Sequence, residues 1–492
     1  MLTAVASILI GCTPSANRGG DSKPNAPAAA PQEAPRKSSP PPAAESQLPA
    51  PGQGSVSPVQ LEQLGRISEA LLQIERNYVD PVKDRQLVSG CRQAMLRLAP
   101  TASLPEESAA VVNSTRALQE IGTDYSAIQR QSPGAVEDRK LADACIDGMV
   151  RTLDARSAFW DAEAFKDLQS GGAGIGVELQ IEPGRLIVVS VIEGGPAWKA
   201  GLSKGDAIVQ IDGAPIGGPP LSQAMKPLRG PAGSEVRLTV QHPGFERPMG
   251  FVLTRQAMAI EAVKWALLPT GIAYIRIMQF QETTGEKLAN AITAAYGQNQ
   301  GELSGLILDL RNNPGGLLNV SVAVSAAFLP KNFLVVFTSG HSEDSKMRLY
   351  ASSEYYLRGN REDYVRKLPL SVRKALPMVV LVNQGSAAAS EIVAAALQDH
   401  KRATIIGVRT YGAETIQTIF PLKGSAALKL SSARYFRPSG GPIGPAGITP
   451  DVVLDEGPNT NTLSYDTLPS DDPVVARAVA FLQKKASAAK PQ

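Results

Sequence analysis

Leu306-Ile307-Leu308-Asp309-Leu310-Arg311-Asn312-Asn313-Pro314-Gly315-Gly316 is the stretch on which the fold turns. Leu306 to Leu310 is an apolar run broken by one Asp, short enough for a strand buried on both faces. Two Asn, a Pro and two Gly then halt it in a loop. The pattern returns downstream. Pro377 to Val382 reads as a strand, Gly385-Ser386-Ala387-Ala388-Ala389-Ser390-Glu391-Ile392 as its loop, Ser390 to Asp399 as a helix and Ala403 to Gly407 as the next strand. Upstream, Gly271 to Ile277 reads as a strand and Gly285 to Tyr296 as a helix. Strand, helix and strand in repetition predict an α/β core, whose chemistry belongs at strand-to-loop junctions such as these two.

The core occupies only part of the chain. With 492 residues, 43% hydrophobic and 19% charged, a multi-domain protein of about three globular units is expected. The net charge of +3, from 49 basic and 46 acidic side chains, gives no field that would gather nucleic acid, which is excluded as a partner class. The three histidines, His242, His341 and His400, are scattered and none adjoins a cysteine. That gives no metal-ligand spacing, so neither a metal nor a cofactor is expected.

The first twelve residues, MLTAVASILIGC, are too short to span a bilayer and end in Leu9-Ile10-Gly11-Cys12. They resemble the lipobox of bacterial lipoproteins, which implies acylation of Cys12 as a lipid anchor, although no Lys or Arg precedes the apolar run. The alternative is an ordinary cysteine in a disordered leader. Residues 13–58 hold eleven prolines and only Leu48 and Val56 as large apolar side chains, the composition of an extended, disordered spacer. Together they predict an exported protein held at a membrane surface of the cell envelope or in the periplasm.

Residues 59–170 read as a helical region. Leu61, Leu64, Ile67, Leu71 and Ile74 recur at helical spacing, and another helix is expected around Ala109 to Ile128. Val82 to Arg97 and Val136 to Arg151 share Val, Asp, Arg, Leu, Cys, Met and Arg at a constant offset of 54, an internal repeat of one helix. Cys91 and Cys145 occupy equivalent places in it. Two separate buried thiols are the expectation, with a disulfide as the alternative, since sequence does not bring their Cα atoms within bridging range.

Residues 171–256 form a small β-rich unit in which Gly alternates with β-branched runs. Gly194 to Gly213, GGPAWKAGLSKGDAIVQIDG, resembles the core of PDZ domains. Such domains take a protein C-terminus as an added strand and hold its carboxylate on backbone N–H groups. The resemblance places that loop at Gly174-Ile175-Gly176-Val177, where glycine would admit close approach of the ligand.

From Leu71 to Leu454 the chain resembles the carboxyl-terminal processing peptidases, or tail-specific proteases. The segments NYVDPV, LDLRNNPGGLL, ASEIVAAALQDHKRA, LKLSSARYFRPSG and GITPDVV carry the likeness. The resemblance implies a crotonase-like α/β domain over 257–460, interrupted by a charged stretch, 340–367, that reads as an inserted helical arm, and followed by a C-terminal helix and tail, 461–492. The family's chemistry is a serine nucleophile with a neutral lysine as general base. Its Ser-Ala-Ser-Ala-Ser-Glu pattern falls on Ser386 to Glu391, with Ala388 at the nucleophile, and its Phe-Gly-Lys-Gly-x-Val-Gln pattern falls on Tyr411 to Gln417, with Ala413 at the base. The spacing of twenty-five residues is kept, and Glu414 replaces the glycine after the lysine. Gln417 retains the family's lysine-orienting glutamine, and the backbone N–H groups of Ala389 and of Gly315 or Gly316 are the expected oxyanion donors.

A methyl group supplies neither nucleophile nor base. The expected protein is therefore an exported family member that no longer hydrolyses and acts by binding the C-terminal segments of other proteins, with self-association or pairing with an active relative as a further expectation. The alternative is a serine endopeptidase with a displaced nucleophile at Ser386 or Ser390. Lys401 and Lys423 are near only in sequence, and helix capping is the expected duty of Ser390.

Overall fold

The structure is a computed structural model describing residues 57–488 except 107–112, 133, 135, 155, 170–172, 183–184, 192–194, 204, 217–225, 246, 257–260, 360–361 and 455–471. Cys12 and the spacer up to residue 56 lie outside the described residues.

Four helices, α1 (Pro58–Asn77), α2 (Asp84–Leu98), α3 (Ser114–Gln131) and α4 (Asp138–Arg151), open the chain. A reciprocal cap starts α1: Ser57 Oγ accepts the Gln60 N–H at 3.2 Å and Gln60 Oε1 accepts the Ser57 N–H at 3.1 Å. Ile67, Leu71 and Ile74 are fully buried as the periodicity predicts, but Leu61 is 61% exposed. It lies in the first turn, outside the buried face. Asn113 caps α3, and the expected start near Ala109 lies outside the described residues.

The echoed helices pack on each other. Gly90 faces Gly148 so closely that a Cβ on either would lie 2.4 or 2.3 Å from the other's carbonyl oxygen. This contact brings Cys91 and Cys145 to a Cα separation of 4.0 Å, and they form a disulfide. The expectation of two separate thiols is thereby corrected; the cause is a glycine-to-glycine helix approach that joins distant residues. A cystine spanning 54 residues restricts the unfolded chain by about 4 kcal/mol on the loop-entropy model.

The strand β1 (Ala158–Trp160) and helix α5 (Ala162–Gln169) lead into a second unit. It comprises β2 (Val177–Glu182), β3 (Arg185–Val191), α6 (Pro196–Lys199), β4 (Ala207–Ile211), β5 (Ala214–Pro215), β6 (Glu235–Gln241) and β7 (Met249–Thr254). Its strands run in the order β2-β3-β4-β6-β7, with β5 on β4, and alternate residues such as Leu186, Val188, Val236, Leu238 and Val240 form a core of their own.

The remainder contains β8 (Val263–Leu267), β9 (Ile272–Ile277), α7 (Thr284–Gln298), β10 (Gly305–Asp309), α8 (Leu318–Ala326), β11 (Leu334–Ser339) and β12 (Arg348–Tyr350). There follow α9 (Leu370–Lys374), β13 (Met378–Val382), α10 (Ala389–Asp399), β14 (Thr404–Gly407), β15 (Thr415–Leu422), β16 (Ala426–Phe436), β17 (Val452–Val453) and α11 (Pro473–Ala488). One sheet has the order β17-β14-β13-β10-β9-β8, parallel except at β8. Its strands are apolar on both faces for a reason visible residue by residue. Ile275, Leu308 and Val380 join the core under α7, α8 and α10, whereas Ile307, Val379 and Leu381 meet Val475, Ala478 and Leu482 of α11. The C-terminal helix is thus a layer of the α/β core. Fully buried Arg311 ties it down, donating to Asp309 Oδ2 and Asp472 Oδ2 at 2.6 Å each.

The other sheet, β1-β16-β11-β12 with β15 on β16, joins the helical region to the core. Leu428 and Leu430 of β16 share a cluster with Ile67, Leu71 and Cys145, while Ala433 and Tyr435 belong to the α/β core. Residues 340–367 are also integral. Instead of a helical arm, their described residues form three 3₁₀ turns and the strand β12, with Tyr356 and Val365 buried in the core. The charges that suggested a helix line the outside of these turns: Lys346 pairs with Glu343 and Lys367 with Glu362 at the surface.

Candidate active site and peptide-binding edge

Ala388 sits between β13 and α10 with φ 50° and ψ −109°. A positive φ is costly for an L-residue with a side chain, of order 1–3 kcal/mol, and persists only where the surroundings over-determine it. They do so here. Ala387 N–H donates to Asn313 O at 3.0 Å, and Ala388 N–H to Glu391 Oε2 at 2.9 Å. The loop beneath is braced by Asn383, whose Oδ1 accepts the N–H of Asn312 at 2.8 Å and of Gly385 at 3.0 Å. Asn383 Nδ2 donates to Asn312 Oδ1 at 2.8 Å. Gly315 must be glycine: its φ is 104°, and a Cβ there would lie 2.9 Å from Ala388 Cβ and 3.0 Å from Ala389 N.

Glu391 joins Ala388 and Ala413. Its Oε1 accepts from Thr410 Oγ1 at 2.6 Å and Gly412 N–H at 2.7 Å, and its Oε2 accepts from the N–H groups of Ala388 and Ala413 at 2.9 Å each. One oxygen therefore holds both backbones within the reach of a single carboxylate. Complete burial pushes the Glu391 carboxyl above its usual range, and the four hydrogen bonds oppose that shift.

Gln417 is buried on β15. Its Nε2 donates to Ser431 Oγ at 2.8 Å and Thr415 Oγ1 at 3.0 Å, whereas its Oε1 is buried without a hydrogen-bond partner among the described residues. Ser431 continues the chain of contacts to Asp154 and from there to Tyr78, whose hydroxyl is pushed well above the phenol range by burial and by the Asp154 charge.

The serines flanking Ala388 are both fully buried. Ser386 Oγ donates to Leu310 O at 2.7 Å and accepts the Asn383 N–H at 3.0 Å. Ser390 Oγ donates to Asn313 O at 2.9 Å. Ser390 is not the helix cap, which is Ala388; its hydroxyl clamps the Asn313 loop to α10. Lys401 follows the far end of the 11-residue α10, roughly 16 Å from Ala388 at 1.5 Å per residue. Lys423 lies in the turn beyond the eight-residue β15, roughly 25 Å from Ala413 by strand rise. The lysine whose ammonium is depressed by burial is Lys429 on β16, opposed by Asp154 and 5.9 Å from the Trp160 ring.

Among the expected oxyanion donors, Gly315 is committed, its N–H donating to Asn313 Oδ1 at 2.9 Å. Gly316 and Ala389 remain, and a Cβ at Gly316 would strike Phe280 O at 2.2 Å.

In the second unit Gly174 is likewise committed, exchanging backbone hydrogen bonds with Gln256 at 3.1 and 3.0 Å. Its glycine is not demanded by crowding, since the nearest atom to an added Cβ is 4.0 Å away. Gly176, with φ 82°, is the position that requires glycine. Ile175 anchors the loop in the core at 2% exposure. Val177 begins β2, which pairs with β3 on one side and lies at the sheet edge, where an extended peptide can add.

Residues 271–454 match the peptidase family S41 model and residues 187–242 a PDZ domain model. The chain is 38% identical over 359 residues to the carboxy-terminal-processing protease of Bartonella bacilliformis, covering 72% of this chain and 79% of that one. It belongs to the carboxy-terminal processing protease family. It is also 31% identical over 362 residues to the carboxy-terminal processing protease CtpB of Bacillus subtilis, covering 72% and 71% of the two chains. The solved photosystem II D1 C-terminal processing protease is similar in fold, with a TM-score of 0.54, 27% identity and coverage of 86% of this chain and 97% of that one. The bracing roles of Glu391, Asn313 and Asn383 escaped the sequence reading. The signal for Glu391 was its place three residues after the helix cap, where a carboxylate reaches back to the cap N–H.

Proposed function

We propose that this member of the carboxy-terminal processing proteases binds protein C-termini without cleaving them. The observation that carries the reading is Ala388: the turn that would expose a nucleophile is held in strained backbone geometry, yet the side chain on it is a methyl group. The neighbouring hydroxyls are spent on backbone carbonyls, and Ala413 offers no proton acceptor. Loss of both members of a hydrolytic pair costs on the order of 10⁴ to 10⁶ in turnover. The free edge of β2 and the Gly176 loop support capture of a C-terminal segment. Export and anchoring at Cys12 belong to the same proposal, resting on the sequence of residues 1–58, and pairing with itself or with an active relative is a further part of it, resting on the family likeness.

The test is an unfolded protein with an apolar C-terminus incubated with the purified chain. Binding that depends on the C-terminus, weakened by Gly176→Leu, with the substrate left intact, is the expected result. Joint substitution of Ala388→Ser, Ala413→Lys and Glu414→Gly into the retained frame is expected to give cleavage. Steady cleavage by the native chain, abolished by Ser386→Ala or Ser390→Ala, would replace this reading with that of a displaced nucleophile.

A further inference from the structure

The duplicated helices carry a feature that the protease frame does not require. The pairs Gln86 with Thr152, Gly90 with Gly148 and Cys91 with Cys145 show that α2 and α4 run antiparallel. Exchanging the two copies at the offset of 54 maps Gly90 and Gly148 onto Ala144 and Ala94, and the cysteine pair onto itself. The cystine therefore lies on a local two-fold axis, so one cysteine in a duplicated helix meets its own copy across the contact.

The contact has no slack. Each glycine lies against the opposing backbone, and Ala94 Cβ would be 2.6 Å from a Cβ at Gly148. Both cysteines are completely buried. Two unbonded thiol sulfurs need the separation of non-bonded heavy atoms, roughly 3.5–4 Å. In a contact this tight, separating the sulfurs on reduction loads α2 and α4 apart beside the Gly90 and Gly148 approach.

The displacement has a path to the candidate site. Cys91 and Cys145 share one apolar cluster with Leu422 of β15 and with Ala426, Leu428 and Leu430 of β16, the strand pair that carries Gln417 and Ser431. Polar ties run alongside: Arg66 Nε donates to Lys423 O at 3.3 Å, Arg139 to Gly424 O at 3.0 Å, and Val79 N–H to Ser431 O at 2.8 Å.

We infer that Cys91–Cys145 is a redox-set clamp that holds the helical region against the β15–β16 wall of the site. It forms when the two thiols give up two protons and two electrons to an exchange partner's disulfide, which becomes a dithiol; a thiolate attacks that disulfide and the second cysteine resolves the mixed disulfide. An oxidising compartment supplies such a partner.

The test uses the full-length chain with Cys12→Ser, which leaves these two cysteines alone, isolated after exposure to a disulfide donor. Maleimide labelling of the unfolded chain is expected to give no adduct before reduction and two after it. On the folded chain, reduction is expected to accelerate amide exchange over residues 84–98, 138–151 and 415–431 by on the order of tenfold or more, leaving residues 235–254 unchanged. A Cys91→Ala, Cys145→Ala variant has neither the bond nor the crowding sulfurs, so its exchange should not respond to reductant and should be no faster than that of the reduced chain. Two adducts on the unreduced chain, identical exchange in both redox states, or acceleration spread equally over 235–254 would each overturn the inference.

Discussion

Two turns in this molecule hold positive φ next to a place where a peptide could lie, and they are built oppositely. At Gly176 the value is 82° and the residue is glycine, so the conformation is available at no steric cost. At Ala388 it is 50° on a residue with a Cβ, and the conformation is imposed by Asn313, Glu391 and the loop around Asn383. A turn made for binding needs backbone freedom alone. A turn that holds a side chain in such geometry must spend hydrogen bonds to do so, and here the side chain they hold is a methyl group.

The contrast can be broken at its strongest point by Glu391→Ala. A methyl group accepts nothing, so the N–H groups of Ala388, Gly412 and Ala413 lose their acceptor and are left as unmet buried donors, at a cost of about 3 kcal/mol. Chemical denaturation reads this, and hydrogen exchange should rise at both Ala388 and Ala413. If only one of the two responds, Glu391 is not the brace described. Gly176→Ala is next: an L-residue forced to that φ costs about 1–2 kcal/mol, and peptide capture should weaken while the α/β core keeps its exchange protection.

Ala388→Gly should act in the opposite direction, raising stability by about 1 kcal/mol or leaving it unchanged, because the strain is relieved while every named hydrogen bond is kept. A marked loss would mean that Ala388 is unstrained. The smallest effect is on pH dependence. Burial opposes ionisation of Asp309, but the charges of Arg311 and Arg276 and the Arg311 hydrogen bonds hold its carboxyl below the usual range. A depressed folded pKa stabilises above the unfolded value of about 3.9 and loses that contribution as pH falls through the folded one. Release of α11 should thus begin only below about pH 4, read by exchange over residues 473–488, and Asp309→Asn should abolish that acid transition.

What the sequence disclosed, and what it withheld, follows from the range of the interactions involved. The parallel strands were legible because burial on both faces leaves continuous apolar runs such as Leu306 to Leu310 and Met378 to Val382. The β-rich unit was legible from its glycine punctuation, and the loop carrying Ala388 at a strand-to-helix junction from a motif that fixes residues within a few positions of one another. The cystine depends on an antiparallel approach at Gly90 and Gly148 that no local pattern states. The segment 340–367 looked helical from its charges, which instead edge a series of 3₁₀ turns over buried Tyr356 and Val365. Gly174, and Gly315 as the alternative to Gly316, were placed in ligand-facing loops by resemblance, but both N–H groups are spent inside the protein. Glu391 was in view as a letter of the motif, and its bridging role appears only once Thr410, Gly412 and Ala413 are folded beside it.

The measurement closest to the central claim is exposure of the folded chain to a serine-reactive phosphonylating reagent, followed by intact mass and peptide mapping. Two methyl groups in the place of the reactive pair predict an unmodified mass at every time point, while the Ala388→Ser, Ala413→Lys, Glu414→Gly chain takes up one adduct at residue 388. A native chain that acquires a stoichiometric adduct on Ser386, Ser390 or any other serine would contradict the account.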